Sequence, residues 1–245
     1  VYGRELLGPF IISMTQDAAD VLTVLLLARW NGQTDGLDIV PLFETLADLE
    51  AAPRILEALF EQPEYRRHLG TCGDHQIVMI GYSDSNKDGG YLAASWALYQ
   101  AQEQINRACR AHGIRLTLFH GRGGTVARGG GPANRAIRAQ PPGTVEGRLR
   151  VTEQGEIISS RYANPALAAR HLEQIVHAVI TASIPSSKLA SGEVQNPIPE
   201  TWRRAMDGMA ETALRVYREL VYETPGFMDY WQAVCLLYTS DAADE

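Results

Sequence analysis

Short apolar runs alternate with longer helical patterns along most of this 245-residue chain, and this alternation limits the fold more than any other feature. Apolar runs of this length are typical of buried strands, and the helical patterns between them predict βαβ units. Such units build a parallel sheet that is covered by helices. The runs interpreted as strands are 10–14, 39–43, 76–82, 115–119 and, with a weaker pattern, 149–153, and the helical patterns cover 17–28, 46–59, 91–111, 133–139, 165–182 and 200–222.

A barrel of the (β/α)8 type fits this α/β pattern better than a Rossmann sheet does. The G-x-G-x-x-G phosphate fingerprint of a Rossmann fold does not follow the first predicted strand. Because a closed barrel of this type has eight strands, the chain is expected to form a partial TIM-like barrel, incomplete at both ends, with additional packed helices. The predicted parts are residues 1–183 in the barrel, 184–199 as a loop or lid, 200–233 as a helical region and 234–245 as a non-native tail.

The composition argues against some classes of partner. A formal net charge of −7 and a pI near 5.4 disfavour a general nucleic-acid partner or an anionic membrane surface. No apolar stretch of the sequence reaches the length of a membrane span. Cys72, Cys109 and Cys235 are odd in number and follow no metal-binding spacing, so we expect free thiols in a reducing, cytoplasmic compartment.

Acidic residues follow two of the predicted strands. Glu44 comes directly after the run that ends at Phe43, and Asp84 lies in the segment Val78–Gly90, VMIGYSDSNKDGG. Because the carboxyl ends of parallel barrel strands meet at one mouth, both carboxylates should face the same site. Two carboxylates beside a phosphate-bearing substrate are a usual site for Mg²⁺ or Mn²⁺. The alternative is that each acid N-caps the helix that follows it.

Lys87 lies three residues after Asp84, in a polar turn that ends in paired glycines. One interpretation is an ordinary solvated lysine on the surface. The other is a positive charge that is directed at a carboxylate or phosphate of a substrate. We interpret Asp88 as a residue that orients this turn rather than as a metal ligand.

The segment His120–Gly131, HGRGGTVARGGG, combines many glycines with two arginines. Glycine lets backbone N–H groups approach an anion closely, and Arg122 and Arg128 add planar groups with a permanent charge. These features predict an anion-binding loop that closes on its ligand. The alternative is a flexible surface loop with incidental arginines. A lone histidine such as His120 is more often structural than catalytic, but its place at a strand end beside two arginines also allows a functional role.

The segment Arg150–Glu156, RVTEQGE, flanks the last strand candidate. Arg150 and Gln154 could both donate hydrogen bonds to phosphate oxygens of a substrate. The alternative for this segment is a salt bridge at the sheet edge with Glu153. The remaining histidines show no ligand spacing, so we interpret them as structural or exposed.

Two of these motifs together resemble the phosphoenolpyruvate carboxylase family. The first is VMIGYSDSNKDGG, and the second is FHGRGGTVARGGGPANRAIRAQPPG at Phe119–Gly143. The resemblance extends from about Leu6 to Tyr230. It implies the following site residues: Glu44 and Asp84 as ligands of Mg²⁺ or Mn²⁺, Lys87, His120, Arg122 and Arg128 as catalytic residues, and Arg150 and Gln154 as substrate-binding residues, with Gln154 near the phosphoryl group.

The resemblance also implies the reaction, which is carboxylation of phosphoenolpyruvate by bicarbonate to give oxaloacetate and phosphate. In this family bicarbonate attacks phosphorus to give carboxyphosphate, and the released carbon dioxide is captured by a metal-held enolate. The intact enzyme is expected to be a cytoplasmic homo-tetramer. The family's upstream motif TAHPTE does not occur in this sequence, and its downstream arginines are also missing, so we expect an internal fragment that is inactive by itself.

Two other classes of function stay open at the level of sequence. One is a different barrel enzyme that uses phosphoenolpyruvate, such as a lyase or a mutase, which would cleave the substrate without carboxylation. The other is a regulatory or binding fragment that catalyses no reaction.

Overall fold

A computed structural model describes residues 8–32, 35–81, 83–121, 133–153, 155–184 and 198–234, with only the backbone described at Ser83 and Glu156. Strands lie at the predicted places, each followed by one or more helices. In chain order the elements are β1 (Phe10–Ile12), α1 (Ala18–Trp30), β2 (Ile39–Phe43), α2 (Leu46–Glu61), α3 (Pro63–Thr71), β3 (His75–Ile80), α4 (Ser83–Ala111), β4 (Arg115–His120), α5 (Ala133–Arg138), β5 (Arg150–Val151), α6 (Gly155–Tyr162), α7 (Pro165–Ser183), α8 (Glu200–Arg218), a π-helical segment (Glu219–Glu223) and α9 (Phe227–Val234).

The strands form a parallel sheet, which confirms the predicted α/β class. Within the described residues the order in the sheet is β1-β2-β3-β4-β5, and all neighbouring pairs are parallel. The order in space therefore follows the order in the chain, without the reversal that defines a doubly wound sheet. This arrangement is consistent with a partial barrel, while closure into a TIM-like barrel stays a prediction.

The main core lies between this sheet and helices α1 to α4. Side chains alternate between the two faces of a strand, and those on one face, such as Val78, Ile80 and Leu118, join the core contributed by the helices. Leu56 and Leu59 of α2 are fully buried there, and burial of a leucine side chain contributes roughly 2 kcal/mol. A smaller cluster on the opposite face contains Val40, Ile77, Met79 and Phe119.

Local signals explain where several helices begin. Thr45 caps α2 by accepting a hydrogen bond from the N–H of Asp48, whose side chain accepts one in return from the N–H of Thr45. The sequence analysis did not predict α3, which begins with Pro63 at its first turn, a favoured position for proline. It also did not predict α6, whereas α9 lies almost entirely within the predicted helical region 200–233.

The helical region beyond residue 198 packs on α4. The indole N–H of Trp96 donates to Asp207 Oδ1 at 2.7 Å, and Arg203 forms an ion pair with Glu103 at 2.9 Å. Ala210 of α8 is buried against Trp96. These contacts hold α8 along the helix that carries Lys87. Among the described helices, none combines the length and apolar character that crossing a membrane requires.

Candidate active site

A carboxylate and two glycines lie at one level just beyond the carboxyl ends of β2, β3 and β4. Phe43 is in register with Ile80, and Ile80 is in register with His120, so the next level of the sheet holds Glu44, Gly81 and Gly121. The backbone confirms this level, because the N–H of Gly81 donates to the carbonyl of Phe43 at 2.8 Å.

The two glycines allow close packing at this end of the sheet. A Cβ atom at Gly81 would lie 3.2 Å from both Cα and Cγ of Glu44, and one at Gly121 would lie 3.0 Å from the carbonyl oxygen of Ile80. Both distances are closer than ordinary van der Waals contact, so any larger residue would crowd this edge of the sheet. Gly81 therefore lets the Glu44 side chain pack directly over the end of β3.

Glu44 does not act as the helix cap that the sequence offered as an alternative. Thr45 caps α2, and Glu44 Oε2 instead accepts a hydrogen bond of 2.8 Å from the backbone N–H of Met14. Met14 has a φ of 52°, in the left-handed region that is uncommon for residues other than glycine. The unusual backbone after β1 thus directs an N–H group toward Glu44.

Asp84 and Lys87 form an ion pair in the first turn of α4. Lys87 Nζ lies 3.0 Å from Asp84 Oδ1, and the two side chains are 74% and 46% exposed. An exposed pair of this kind contributes at most about 1 kcal/mol. Both groups can therefore exchange this contact for a stronger partner at little cost.

Asp88 orients the lysine turn, as the sequence suggested. Its Oδ2 accepts a hydrogen bond of 3.0 Å from the N–H of Leu46 in the first turn of α2, where the helix dipole favours a negative charge. Its Oδ1 lies 2.6 Å from Arg218 Nη2. The carboxylate of Asp88 therefore connects the turn to two other helices.

His120 is buried at the end of β4, on a different face of the sheet from Glu44. It is in register with Ile80, which belongs to the core between the sheet and the helices. Burial lowers the pKa of His120 to about 4, because a low-dielectric environment disfavours the charged imidazolium. The imidazole is consequently neutral near pH 7.

Arg150 lies on the same face as Phe119, with which it is in register. Its guanidinium carbon lies 4.6 Å from the centroid of the Phe119 ring, which is within the range of a cation–π contact. The sequence also allowed a salt bridge at the sheet edge between this segment and Glu153. In the structure Glu153 pairs with Arg161. Arg150 also borders a cavity of about 600 Å³, whose lining includes His75, Thr117, Arg148 and the apolar side of α7.

The comparisons with known proteins point to the same family as the two sequence motifs that contain the ends of β3 and β4. The family model described as phosphoenolpyruvate carboxylase matches residues 1–237. The chain belongs to the phosphoenolpyruvate carboxylase family. It is similar to the phosphoenolpyruvate carboxylases of Chromohalobacter salexigens (50% identical over 232 residues), Marinobacter nauticus (49% over 231) and Gloeobacter violaceus (47% over 237).

Each of these three alignments covers 94% of the chain but only 24% or 25% of the relative. The chain thus spans about a quarter of the length of the curated phosphoenolpyruvate carboxylases that it matches. The expectation that it corresponds to part of a longer enzyme agrees with this coverage.

Several predicted residues of the carboxylase site lie outside the described part of the chain, namely Arg122, Arg128 and Gln154. Most of the predicted loop or lid and the tail after Val234 lie outside it as well. Among the residues that are described, no group of three or more His, Cys, Asp or Glu side chains is arranged to hold a metal ion. The structure brings Glu44, Asp84 and Lys87 to the edge formed by the carboxyl ends of the strands. The side chain of His120 lies on the helix-facing side of β4, away from Glu44.

The sequence analysis missed the residues that hold the lysine turn from the side of α8. Tyr217 and Tyr222 both donate hydrogen bonds to the carbonyl oxygen of Lys87, and Arg218 pairs with Asp88. The paired glycines after Asp88 were the available signal, because glycine also marks a close approach of another element.

Proposed function

We propose that the intact protein containing this chain carboxylates phosphoenolpyruvate with bicarbonate to give oxaloacetate and phosphate. The observation that carries the proposal is the shared edge at which β2 and β3 present Glu44, Asp84 and Lys87, with Glu44 packed over Gly81. Membership of the phosphoenolpyruvate carboxylase family supports the same substrate.

The donor set at this edge fits a hard divalent cation. The carboxylates of Glu44 and Asp84 follow neighbouring strands, and Mg²⁺ and Mn²⁺ prefer such oxygen ligands. Substrate oxygens and water would complete the coordination, since Mg²⁺ usually keeps several waters. When bound, the ion would supply a Lewis acid that stabilises negative charge on the substrate.

The positively charged residues would bind the two anionic substrates. The ammonium group of Lys87 is held by a weak ion pair and can turn toward a phosphate or carboxylate. Arg122 and Arg128 are proposed to offset charge on the transferring phosphoryl group, and Gln154 and Arg150 to bind the phosphate of phosphoenolpyruvate. Attack of bicarbonate on phosphorus would give carboxyphosphate and the enolate of pyruvate.

His120 enters the proposal as a neutral group. Because its pKa is lowered to about 4, it would not supply a positive charge to bicarbonate or to the carbon dioxide derived from it. Its side chain lies on the helix-facing side of β4, so its proposed role is that of a core residue that fixes the strand from which Gly121 follows.

The proposal predicts that both carboxylates are needed for activity. In the intact enzyme, Glu44→Ala or Asp84→Ala should lower kcat at least about 100-fold and raise the Mn²⁺ concentration that gives half-maximal rate, because each removes a charged oxygen ligand. Oxaloacetate formation from labelled bicarbonate measures the reaction. Glu57→Ala, which removes an exposed carboxylate from α2, is the matched control and should keep wild-type kinetics.

Two outcomes would contradict this proposal. Full carboxylation by Glu44→Ala at wild-type metal concentrations would remove Glu44 from the site. Turnover of phosphoenolpyruvate by the wild-type enzyme without uptake of label from bicarbonate would instead show a lyase or mutase.

A further inference from the structure

The end of α8 contacts the lysine turn through two tyrosines and an arginine. Tyr217 and Tyr222 donate their hydroxyl protons to the same acceptor, the carbonyl oxygen of Lys87, at 2.9 and 2.7 Å. Arg218 contacts the next residue twice, with Nη2 at 2.6 Å from Asp88 Oδ1 and Nε at 3.3 Å from the Asp88 carbonyl oxygen. A carbonyl oxygen has two lone pairs, so both hydroxyls can bond to Lys87 at once.

The π-helical segment is what allows both tyrosines to reach one oxygen. In a continuous α-helix, residues five positions apart point about 140° away from each other. The segment Glu219–Glu223 is π-helical, and its i→i+5 pattern brings such residues to one side. The rings of Tyr217 and Tyr222 accordingly meet edge to face, with centroids 6.3 Å apart.

The paired glycines of the motif make room for this contact. A Cβ atom at Gly90 would lie 2.9 Å from two ring carbons of Tyr217, and one at Gly89 would clash with Leu46 Cδ1 and lie 3.2 Å from Leu214 Cδ1. Gly90 also has a φ of 74°, which residues with a Cβ adopt only at a cost. The lysine turn is therefore shaped to fit between α2 and α8.

We propose that Tyr217, Arg218 and Tyr222 are positioning residues for Lys87. The Lys87 side chain is flexible and 74% exposed, so where its ammonium group can reach depends on how firmly its backbone is held. The two hydroxyls fix the Lys87 carbonyl, and the guanidinium fixes the adjacent Asp88. The inference rests on the proposed function, because it takes Lys87 as the cation that meets the anionic substrate.

The double variant Tyr217→Phe/Tyr222→Phe in the intact enzyme tests this assignment. It removes both hydroxyls and keeps the rings. We expect kcat to fall about 10-fold or more, since each hydrogen bond that holds the turn is worth roughly a factor of 2 to 12. The KM for phosphoenolpyruvate should change less than kcat, and the melting temperature should fall only slightly, because both bonds are exposed. Hydrogen exchange of the peptide that covers residues 83–90 should become faster. Tyr230→Phe removes a hydroxyl from a side chain as exposed as Tyr222 (62% and 61%) and should change none of these.

Arg218→Lys adds a test of geometry. An ammonium group cannot reproduce the two contacts of the planar guanidinium, so this variant should recover only part of the kcat that Arg218→Ala loses. The assignment is overturned if the double variant keeps kcat and the exchange rate of the wild type, or if kcat falls only in step with the melting temperature. A wild-type enzyme that makes no oxaloacetate, while exchange still rises in the double variant, would contradict the proposed function and leave the contact itself supported.

Discussion

Burial alone lowers the pKa of His120 to about 4, well below the ordinary value of about 6.5. The folded protein therefore binds this proton only below about pH 4, whereas the unfolded chain binds it below about pH 6.5. Between these values the unfolded state holds more protons, so acidification favours unfolding. The stabilisation associated with the neutral imidazole is fully present above about pH 6.5 and is lost progressively as the pH falls toward about 4.

This shift predicts a difference between wild type and His120→Asn. Between pH 7 and pH 5 the wild-type free energy of unfolding should fall by about 2 kcal/mol more than that of the variant, as measured by melting at the two pH values. The variant should also keep the shape of the pH profile of kcat/KM between pH 5 and 8, because His120 does not titrate there. His177→Asn, which removes an exposed imidazole from α7, is the control. An acidic limb near pH 6 that disappears in His120→Asn would contradict the prediction.

The residue scale also shows a limit of the sequence interpretation. Glu44 follows β2 and His120 ends β4, and the family resemblance assigned both residues to one site. The two-residue alternation of a strand puts His120 with Leu116 and Leu118, which face the helices. A shift of one residue reverses the face of a side chain, so the alternation along β4 is by itself enough to separate His120 from Glu44.

At the scale of elements, the kink in α4 joins the lysine turn to the long helix that follows. Gly90 leaves the helical conformation with φ 74° and ψ 170°, and the ring of Tyr217 occupies the space that a side chain would need. The backbone conformation and the packing both require glycine at this position. Gly113 also has a positive φ, 66°, but no atom lies within 4 Å of its missing Cβ, so it is a control that lacks the contact.

Gly90→Ala should therefore destabilise the protein more than Gly113→Ala does. Gly113→Ala should cost only what an alanine with positive φ costs, about 1–2 kcal/mol. In Gly90→Ala the contact with Tyr217 should add about 1–3 kcal/mol to the loss of stability. Denaturant unfolding of both variants gives the difference, and kcat should fall for Gly90→Ala alone. Equal destabilisation by the two substitutions would show that Tyr217 does not constrain the turn.

Elements with strong local signals could be predicted from the sequence, and those defined by tertiary contacts could not. The strands β1 to β4 stood out as apolar runs, and the weaker candidate at 149–153 became the short strand β5. The π-helical segment has no sequence signal of its own. It brings Tyr217 and Tyr222 onto the carbonyl oxygen of Lys87, and this contact exists only in the folded structure. The lysine turn was expected to be irregular, but it forms the first turns of α4 up to Gly90.

At the scale of the whole molecule, large apolar side chains of α7 lie on the surface. This helix packs its small residues Ala178 and Ala182 against α5. Its opposite side presents Leu172, Val176 and Ile180, which are each at least half exposed and recur every four residues along one stripe. Exposed apolar surface of this kind usually marks an interface or an aggregation hazard.

The relatives are about four times as long as this chain, so we expect the remainder of the intact enzyme to cover this stripe. Residues 1–245 expressed alone should then bind a hydrophobic dye, form aggregates and make no oxaloacetate. Val176→Gln/Ile180→Gln should reduce aggregation of the isolated chain yet lower the melting temperature of the intact enzyme, because the same positions would be buried there. Arg170→Gln, at an exposed polar position of α7, should do neither. A monodisperse isolated chain that binds no dye, or an intact double variant as stable as wild type, would show that the stripe is a solvent-facing surface.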